Sequence, residues 1–324
     1  MPVCEALGIL VDGVFLSAET LFAVLYLLCQ LQPAVHHYTP AMAAKTDEAL
    51  PPTPVALGSP LPRLRVRKPD EEKHPSRTNI FSWGLDVRAL WSEPNATTTL
   101  VRGLTYAHDG HKVPAGESLG RLLHVDMWQA TEATPGRQDH VAELELSRPG
   151  SLLASFAKEH PDDTLFLVNI QLPGTPFVHM VCYWRLPVDT LTSDSKFSSL
   201  FERFRSGDAA FQNARFKLVP TIVDGPWLVK TAVPQKPAIT GNKITQRYYT
   251  GRNYVEVDMD IQSSTIANNI VGLCRGYAER LVVDLSLTLQ GNNEEELPER
   301  IFGSVRFAHL DFTKAEPIPC RVSP

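Results

Sequence analysis

Between Phe216 and Gln290 the apolar and polar residues alternate in steps of two, interrupted by one tight turn and one helical stretch. A period of two commits a segment to a strand with one face toward apolar neighbours, so this stretch limits the fold more than any other. Phe216 and Leu218, then Trp227, Val229 and Thr231, mark two strands. Val223-Asp224-Gly225-Pro226 joins them, which predicts a hairpin turned by Asp-Gly. From Tyr254 the alternation is strict, with Val255, Val257, Met259 and Ile261 on a dry side and Glu256, Asp258 and Asp260 on a wet one. Ser263 and Ser264 then stand where a helix N-cap belongs. Ile266, Ile270, Leu273 or Cys274, Tyr277 and Leu281 recur at spacings of three and four, so a helix is expected over 264–280. Val283, Leu285, Leu287 and Leu289 form another one-sided strand. The helix is expected to seal the dry faces of the strands that flank it.

Further strands are expected at Leu122–Trp128, Leu165–Leu172, Val178–Leu186 and Ser304–Phe312, nearly all one-sided, with shorter helices at Ser147–Lys158 and Phe197–Phe204. The class is α+β: a large curved antiparallel sheet packed against one long helix in the C-terminal half, plus shorter helices. Gly272 and Gly276 leave one side of that helix bare, suiting close packing of backbone or, alternatively, approach of a ligand. A formal net charge of -5 opposes general nucleic-acid binding, whose footprint is strongly basic. The five cysteines are scattered with no Cys-x-x-Cys pair, and Cys182 and Cys274 sit in apolar runs that suit a core in a reducing cytosol.

The chain divides into an apolar segment at 1–32, a proline-rich linker at 33–78, a domain at 79–316 and a tail at 317–324. Asp12 and Glu19 interrupt the apolar segment, which is read as a surface helix or an anchor. The linker ends in Arg63, Arg65, Arg67 and Lys68, suited to anionic headgroups, but Asp70, Glu71 and Glu72 follow and partly cancel them.

Several phrases occur together in one order. They are Val101-Arg102-Gly103-Leu104-Thr105-Tyr106 with Lys112-Val113-Pro114-Ala115-Gly116, Phe216-Lys217-Leu218-Val219-Pro220, and Gly225-Pro226-Trp227-Leu228-Val229-Lys230. Asn253-Tyr254-Val255-Glu256-Val257-Asp258-Met259-Asp260-Ile261 and Glu296-Leu297-Pro298-Glu299 follow. In these the chain resembles the C-terminal domain of the plant Enhanced Disease Resistance protein, over about Asn79 to Phe312. The family is one of plant and protist lipid-associated proteins, whose longer members resemble chains with phosphoinositide-binding and lipid-transfer-type modules ahead of this domain. The resemblance implies a lipid- or membrane-associated role, cytoplasmic and peripheral to a membrane.

Two residue sets are candidates for a site. Glu256, Asp258 and Asp260 recur on one strand face at intervals of about 7 Å, from a rise of about 3.3 Å per residue. They would bind calcium, divide acid and base roles, or simply form the wet face of a sheet. Arg102, Lys112, Lys217, Lys230 and Arg275 form a basic set, with Lys217 and Lys230 expected to face each other across the hairpin around an anion or an internal acid. Trp227 beside them lines a lipid pocket or belongs to the core. His108-Asp109-Gly110-His111 reads as a turn more simply than as a metal site, and Glu294-Glu295-Glu296 as a solvated loop. No phosphate cradle, nucleophile elbow or His-Glu-x-x-His helix occurs, so no catalytic residue, metal or cofactor is assigned. The first reading is a binding module that encloses an apolar ligand between sheet and helix, partnered by lipid or an anionic membrane surface. A protein-interaction domain and an enzyme using the acidic face are the alternatives.

Overall fold

The computed structural model describes residues 9–11, 14–16 and 90–320. Residues 1–74 and 75–324 form two units. In the first, β1 (Ile9–Val11) and β2 (Val14–Leu16) pair antiparallel where a surface helix or anchor was expected. The rest of that segment and the linker at 33–78 lie outside the described residues.

The second unit begins with β3 (Trp91–Ser92), β4 (Leu100–Arg102), α1 (Tyr106–Asp109), β5 (Lys112–Pro114) and β6 (Arg121–Gln129). Then come α2 (Val141–Leu146), α3 (Leu152–Glu159), β7 (Thr164–Leu172), β8 (Val178–Leu186), α4 (Val188–Ser193), α5 (Ser195–Ser206) and α6 (Ala209–Arg215). It continues through β9 (Phe216–Asp224), α7 (Trp227–Ala232), β10 (Ala238–Ile239), β11 (Thr245–Thr250), β12 (Tyr254–Asp260) and α8 (Thr265–Gly276). The last strands are β13 (Val282–Leu289), β14 (Ile301–Ala308) and β15 (Glu316–Pro317).

The class is α+β, as expected, but the large sheet is two sheets. One is six-stranded in the order β11-β12-β7-β8-β6-β15, and the other is five-stranded in the order β10-β9-β13-β14-β3. The five-stranded sheet is antiparallel throughout, whereas β12–β7 and β15–β6 pair parallel in the other. The apolar faces of the two sheets meet. Phe166 of β7 has its ring 4.8 Å from Phe302 of β14 and 6.2 Å from Phe216 of β9, with Phe201 and Phe204 of α5 beside them. A Cβ on Gly303 would stand 3.0 Å from the Trp184 ring, so a side chain there would crowd the indole.

The outer face of the six-stranded sheet is covered as well. Leu165, Leu167, Val181 and Tyr183 pack with Val141, Leu144, Leu153 and Phe156 of α2 and α3. The central strands β7 and β8 are therefore buried on both faces rather than one. Their near-continuous apolar runs are what such a position requires.

Two expectations for the 216–290 stretch are corrected. Strand β9 does form, but 227–232 is the helix α7, and β9 pairs with β10 and β13 instead of turning back in a hairpin. Gly225 passes so close to Leu281 that a Cβ there would lie 2.7 Å from its Cδ1, and Pro226 opens the helix. The second correction concerns α8. Ser264 caps it as expected by accepting from Ala267 N, but it ends at Gly276, followed by a 3-10 turn at Ala278–Arg280. It links β12 in one sheet to β13 in the other and does not lie across either. Val257, Met259 and Leu287 are buried and Leu285 half-buried, sealed within the core where the two sheets meet. Ala267 and Val271 touch this core, whereas Ile266, the expected start of the buried stripe, is 43% exposed. A Cβ on Gly272 or Gly276 would meet nothing within 4 Å, so the expected close packing on these glycines is not there.

Candidate functional site

Glu256, Asp258 and Asp260 share one face of β12, as the alternation requires, yet that face is not wet. Their exposures are 0%, 0% and 6% because the chain from 136 to 142 crosses over them. Glu256 accepts from the amides of Val141 and Ala142, both at 2.7 Å, and so caps the start of α2. Asp258 accepts from His140 N at 2.9 Å and from Asn169 Nδ2 at 2.9 Å. Asp260 pairs with Arg137, and Arg247 lies 3.7 Å away. Burial, then the neighbouring Asp258 charge, holds Glu256 well above the usual carboxylate range, and burial raises Asp258 too. Two dry carboxyls on one strand face disfavour being charged together.

The network extends to a fully buried histidine. His179 Nε2 accepts from Gln138 N at 3.3 Å, which leaves Nδ1 to donate to Asn169 Oδ1 at 3.1 Å. Burial pushes its pKa down to about 4, so the ring is neutral at pH 7. The acidic face thus fastens the 136–142 segment to the sheet, and its oxygens are taken up by amides and guanidinium groups.

The basic set falls into two places. Arg102 and Lys112 stand opposite each other on the β4–β5 ribbon, and Lys217 reaches them from β9. What joins them is Glu299, which is buried. It accepts from Lys217 Nζ, from Arg102 N at 3.0 Å and from Gly291 N at 3.2 Å, with Arg102 Nε 3.7 Å away. The pKa of Lys217 is lowered to about 8, chiefly by burial, with Glu299 raising it and Arg102 and Lys112 lowering it. Lys217 and Lys230 do not face each other: Lys230 lies on α7 and pairs with Asp224 at 3.3 Å on the surface. Glu296 corrects the solvated-loop reading of 294–296. It is buried and receives Arg215 at 2.7 Å and Arg203 at 2.9 Å. Gly110 closes α1 in the left-handed region, as a turn reading of 108–111 requires. Among the described residues no group of His, Cys, Asp or Glu is arranged to hold a metal ion.

Trp227 and Lys230 lie on α7, which packs at a corner against Leu273, Cys274 and Tyr277 of α8, whereas Arg275 on α8 turns to Pro176 and Phe312. Val229 points inward and packs with Ile222 and Leu281, and Leu273, Cys274 and Tyr277 close over that cluster. Trp227 and Lys230 therefore face outward, and Trp227 is 75% exposed. A Cβ on Gly225 would lie 3.6 Å from Arg280 O, so the turn before α7 runs beside the end of α8. A groove of about 410 Å³ opens at the C-terminal end of α8, lined by Arg275, Tyr277, Arg280, Asp311 and Phe312 among others. Arg275 is fixed in it: Nη2 donates to Pro176 O at 2.5 Å and the guanidinium lies 4.7 Å over the Phe312 ring. The guanidinium of Arg280 lies 5.3 Å over Tyr277 and has no ion-pair or hydrogen-bond partner among the described residues.

Tyr277, Arg280, Glu299 and His179 were missed by sequence reasoning. His179 and Asn169 carried a signal, since each is a polar residue inside an apolar strand run, where burial demands a partner. The 278–280 turn carried none. Among the described residues no helix is long and apolar enough to cross a membrane.

The family described as Protein ENHANCED DISEASE RESISTANCE 2, C-terminal, matches residues 91–311. That span runs from β3 to just beyond β14 and takes in most of both sheets, α8 and the corner. A relative from Arabidopsis thaliana, described as Protein ENHANCED DISEASE RESISTANCE 2-like, is 36% identical over 230 residues, which is 71% of this chain and 30% of that protein. The match thus spans less than a third of the relative's length. No solved structure matches the chain. The chain belongs to the Enhanced Disease Resistance 2 C-terminal family.

Proposed function

We propose that this domain is a peripheral lipid-binding module that meets a bilayer surface with the α7–α8 corner. The observation that carries this is Trp227. It is 75% exposed, whereas Trp91, Trp128 and Trp184 are each 5% exposed or less. Leaving a large apolar side chain in water forgoes about 1.5–3 kcal/mol of burial. An indole has one apolar body and one N–H, which suits the headgroup boundary of a bilayer. Val223, 42% exposed, lies at the end of the strand leading into the same turn. Lys230, exposed on the same helix, supplies a cation to that surface.

This reading replaces enclosure between sheet and helix. The gap under α8 is filled by Ala267, Val271, Leu273, Cys274 and Tyr277. It also sets the acidic face aside as a reaction site, since those carboxyls are closed over by backbone. Co-sedimentation with phosphatidylcholine vesicles tests the proposal. The wild type should bind and Trp227→Ala should bind about tenfold more weakly, equivalent to about 1.4 kcal/mol. A wild type that stays in the supernatant, or a variant that binds equally well, would overturn it. A second apolar group, Leu100, Leu104 and Val113 on and beside the β4–β5 ribbon, is also exposed and favours a protein partner at a separate face. Leu104→Ser should then remove a co-purifying protein without changing vesicle binding.

A further inference from the structure

We propose that the groove at the C-terminal end of α8 is a headgroup site for a ligand that joins a phosphodiester to an ammonium group. This rests on the lipid-binding reading and names the chemistry that the same corner recognises. The groove offers cations and anions on different elements. Arg275 and Arg280 come from the end of α8 and the turn after it, and Asp311 from the loop after β14, with Glu279 between. Both guanidiniums are held by stacking on rings, Arg275 on Phe312 and Arg280 on Tyr277, so little side-chain freedom is lost on binding. Arg280 has its donors unspent among the described residues. A guanidinium fork matches phosphate oxygens.

The opposite charge has a place as well. Asp311 spends Oδ1 on Thr313 N at 2.9 Å and Thr313 Oγ1 at 2.6 Å, which leaves Oδ2 for a cation. The carbonyl end of α8 adds partial negative charge at the same mouth. Two arginines against two acids give a balanced groove, which favours a zwitterion over a bare phosphate. Its volume of about 410 Å³ is at the small end of the roughly 300–1,000 Å³ usual for ligand sites, so it fits a headgroup and leaves acyl chains outside. Tyr277 both lines this groove and packs in the cluster under α7, so the headgroup site and the helix that carries Trp227 share one side chain.

The test compares vesicles of phosphatidylcholine with vesicles of phosphatidylglycerol, which lacks the ammonium, and adds soluble glycerophosphocholine as a competitor. The wild type should prefer phosphatidylcholine, Asp311→Asn should lower that preference about fivefold or more, and Arg280→Gln should weaken binding to both lipids about fivefold or more, with Arg280→Lys restoring part of it. Arg280 is exposed and Asn keeps the Oδ1 acceptor, so thermal melts should not move. If glycerophosphocholine displaces the protein from vesicles, the ligand chemistry stands and a soluble source is named; if it does not, the bilayer is the source. An unchanged lipid preference in Asp311→Asn and unchanged vesicle binding in Arg280→Gln, with Trp227→Ala still defective, would overturn the headgroup site and leave membrane binding standing. If no vesicle binds but glycerophosphocholine shifts the amide resonances of Tyr277 to Arg280, the site stands and the membrane reading fails. If it shifts none of them and vesicles do not bind, both fall.

Discussion

Replacing Glu299 should cost far more than replacing the lysine it neutralises. In the Glu299→Leu variant, the amides of Arg102 and Gly291 lose their acceptor in a buried setting, at about 1–3 kcal/mol each. Lys217 adds less, because an unpaired buried ammonium releases its proton. Its pKa already stands at about 8 against an ordinary 10.5, a gap of about 3 kcal/mol that folding bears with Glu299 present. The expected loss for Glu299→Leu is therefore about 4 kcal/mol. Lys217→Met leaves Glu299 with Arg102 and both amides and removes the desolvated charge, so it should lie within about 1 kcal/mol of wild type. Urea unfolding followed by tryptophan fluorescence measures both. The sign with pH follows from the lowered value. Between about pH 8 and 10 the unfolded chain holds a proton on Lys217 that the folded chain has released, so wild-type stability rises relative to Lys217→Met over that window. Equal losses in the two variants, or a pH-independent gap between wild type and Lys217→Met, would refute the reasoning.

Two further outcomes follow from the same structure. Glu256→Gln removes one raised carboxyl; because the folded carboxyls titrate above their ordinary values, wild-type stability fades as pH rises, and the variant should gain on it by about 1 kcal/mol or more between pH 5 and 8 in urea unfolding. Gly272→Ala places a methyl in open space on a helix and should stabilise the fold by about 0.5–1 kcal/mol, read as a rise in melting temperature; a loss would mean that this face of α8 is covered.

The sequence made most elements legible because the strand period and helix caps are local properties. Strand β8 occupies the expected Val178–Leu186, and Ser264 caps α8 as read. What failed was assignment of the other face. Alternation at 254–261 separates two sides of a strand but does not say whether the polar side meets water or meets backbone amides; here Glu256 meets the start of α2. The segment 227–232 shows the same limit. Trp227, Val229 and Thr231 satisfy a period of two, while the inward Val229 and outward Trp227 and Lys230 fit one turn of helix, and six residues cannot decide between them. Arg275 and Trp227 were legible as site candidates, but the packing of α7 beside α8 depends on the Gly225 turn running against Leu281, which no local pattern encodes.

The most direct test of the lipid-surface account is the depth of Trp227 itself. In a Trp83→Phe background, since Trp83 lies outside the described residues, Trp227 fluorescence should be quenched by vesicles whose phosphatidylcholine carries bromine high on the acyl chain, and the quenching should vanish on Trp227→Phe, because Trp91, Trp128 and Trp184 are buried in the protein. Quenching that persists in that variant, or none in the wild type when vesicles are in excess, would contradict the account.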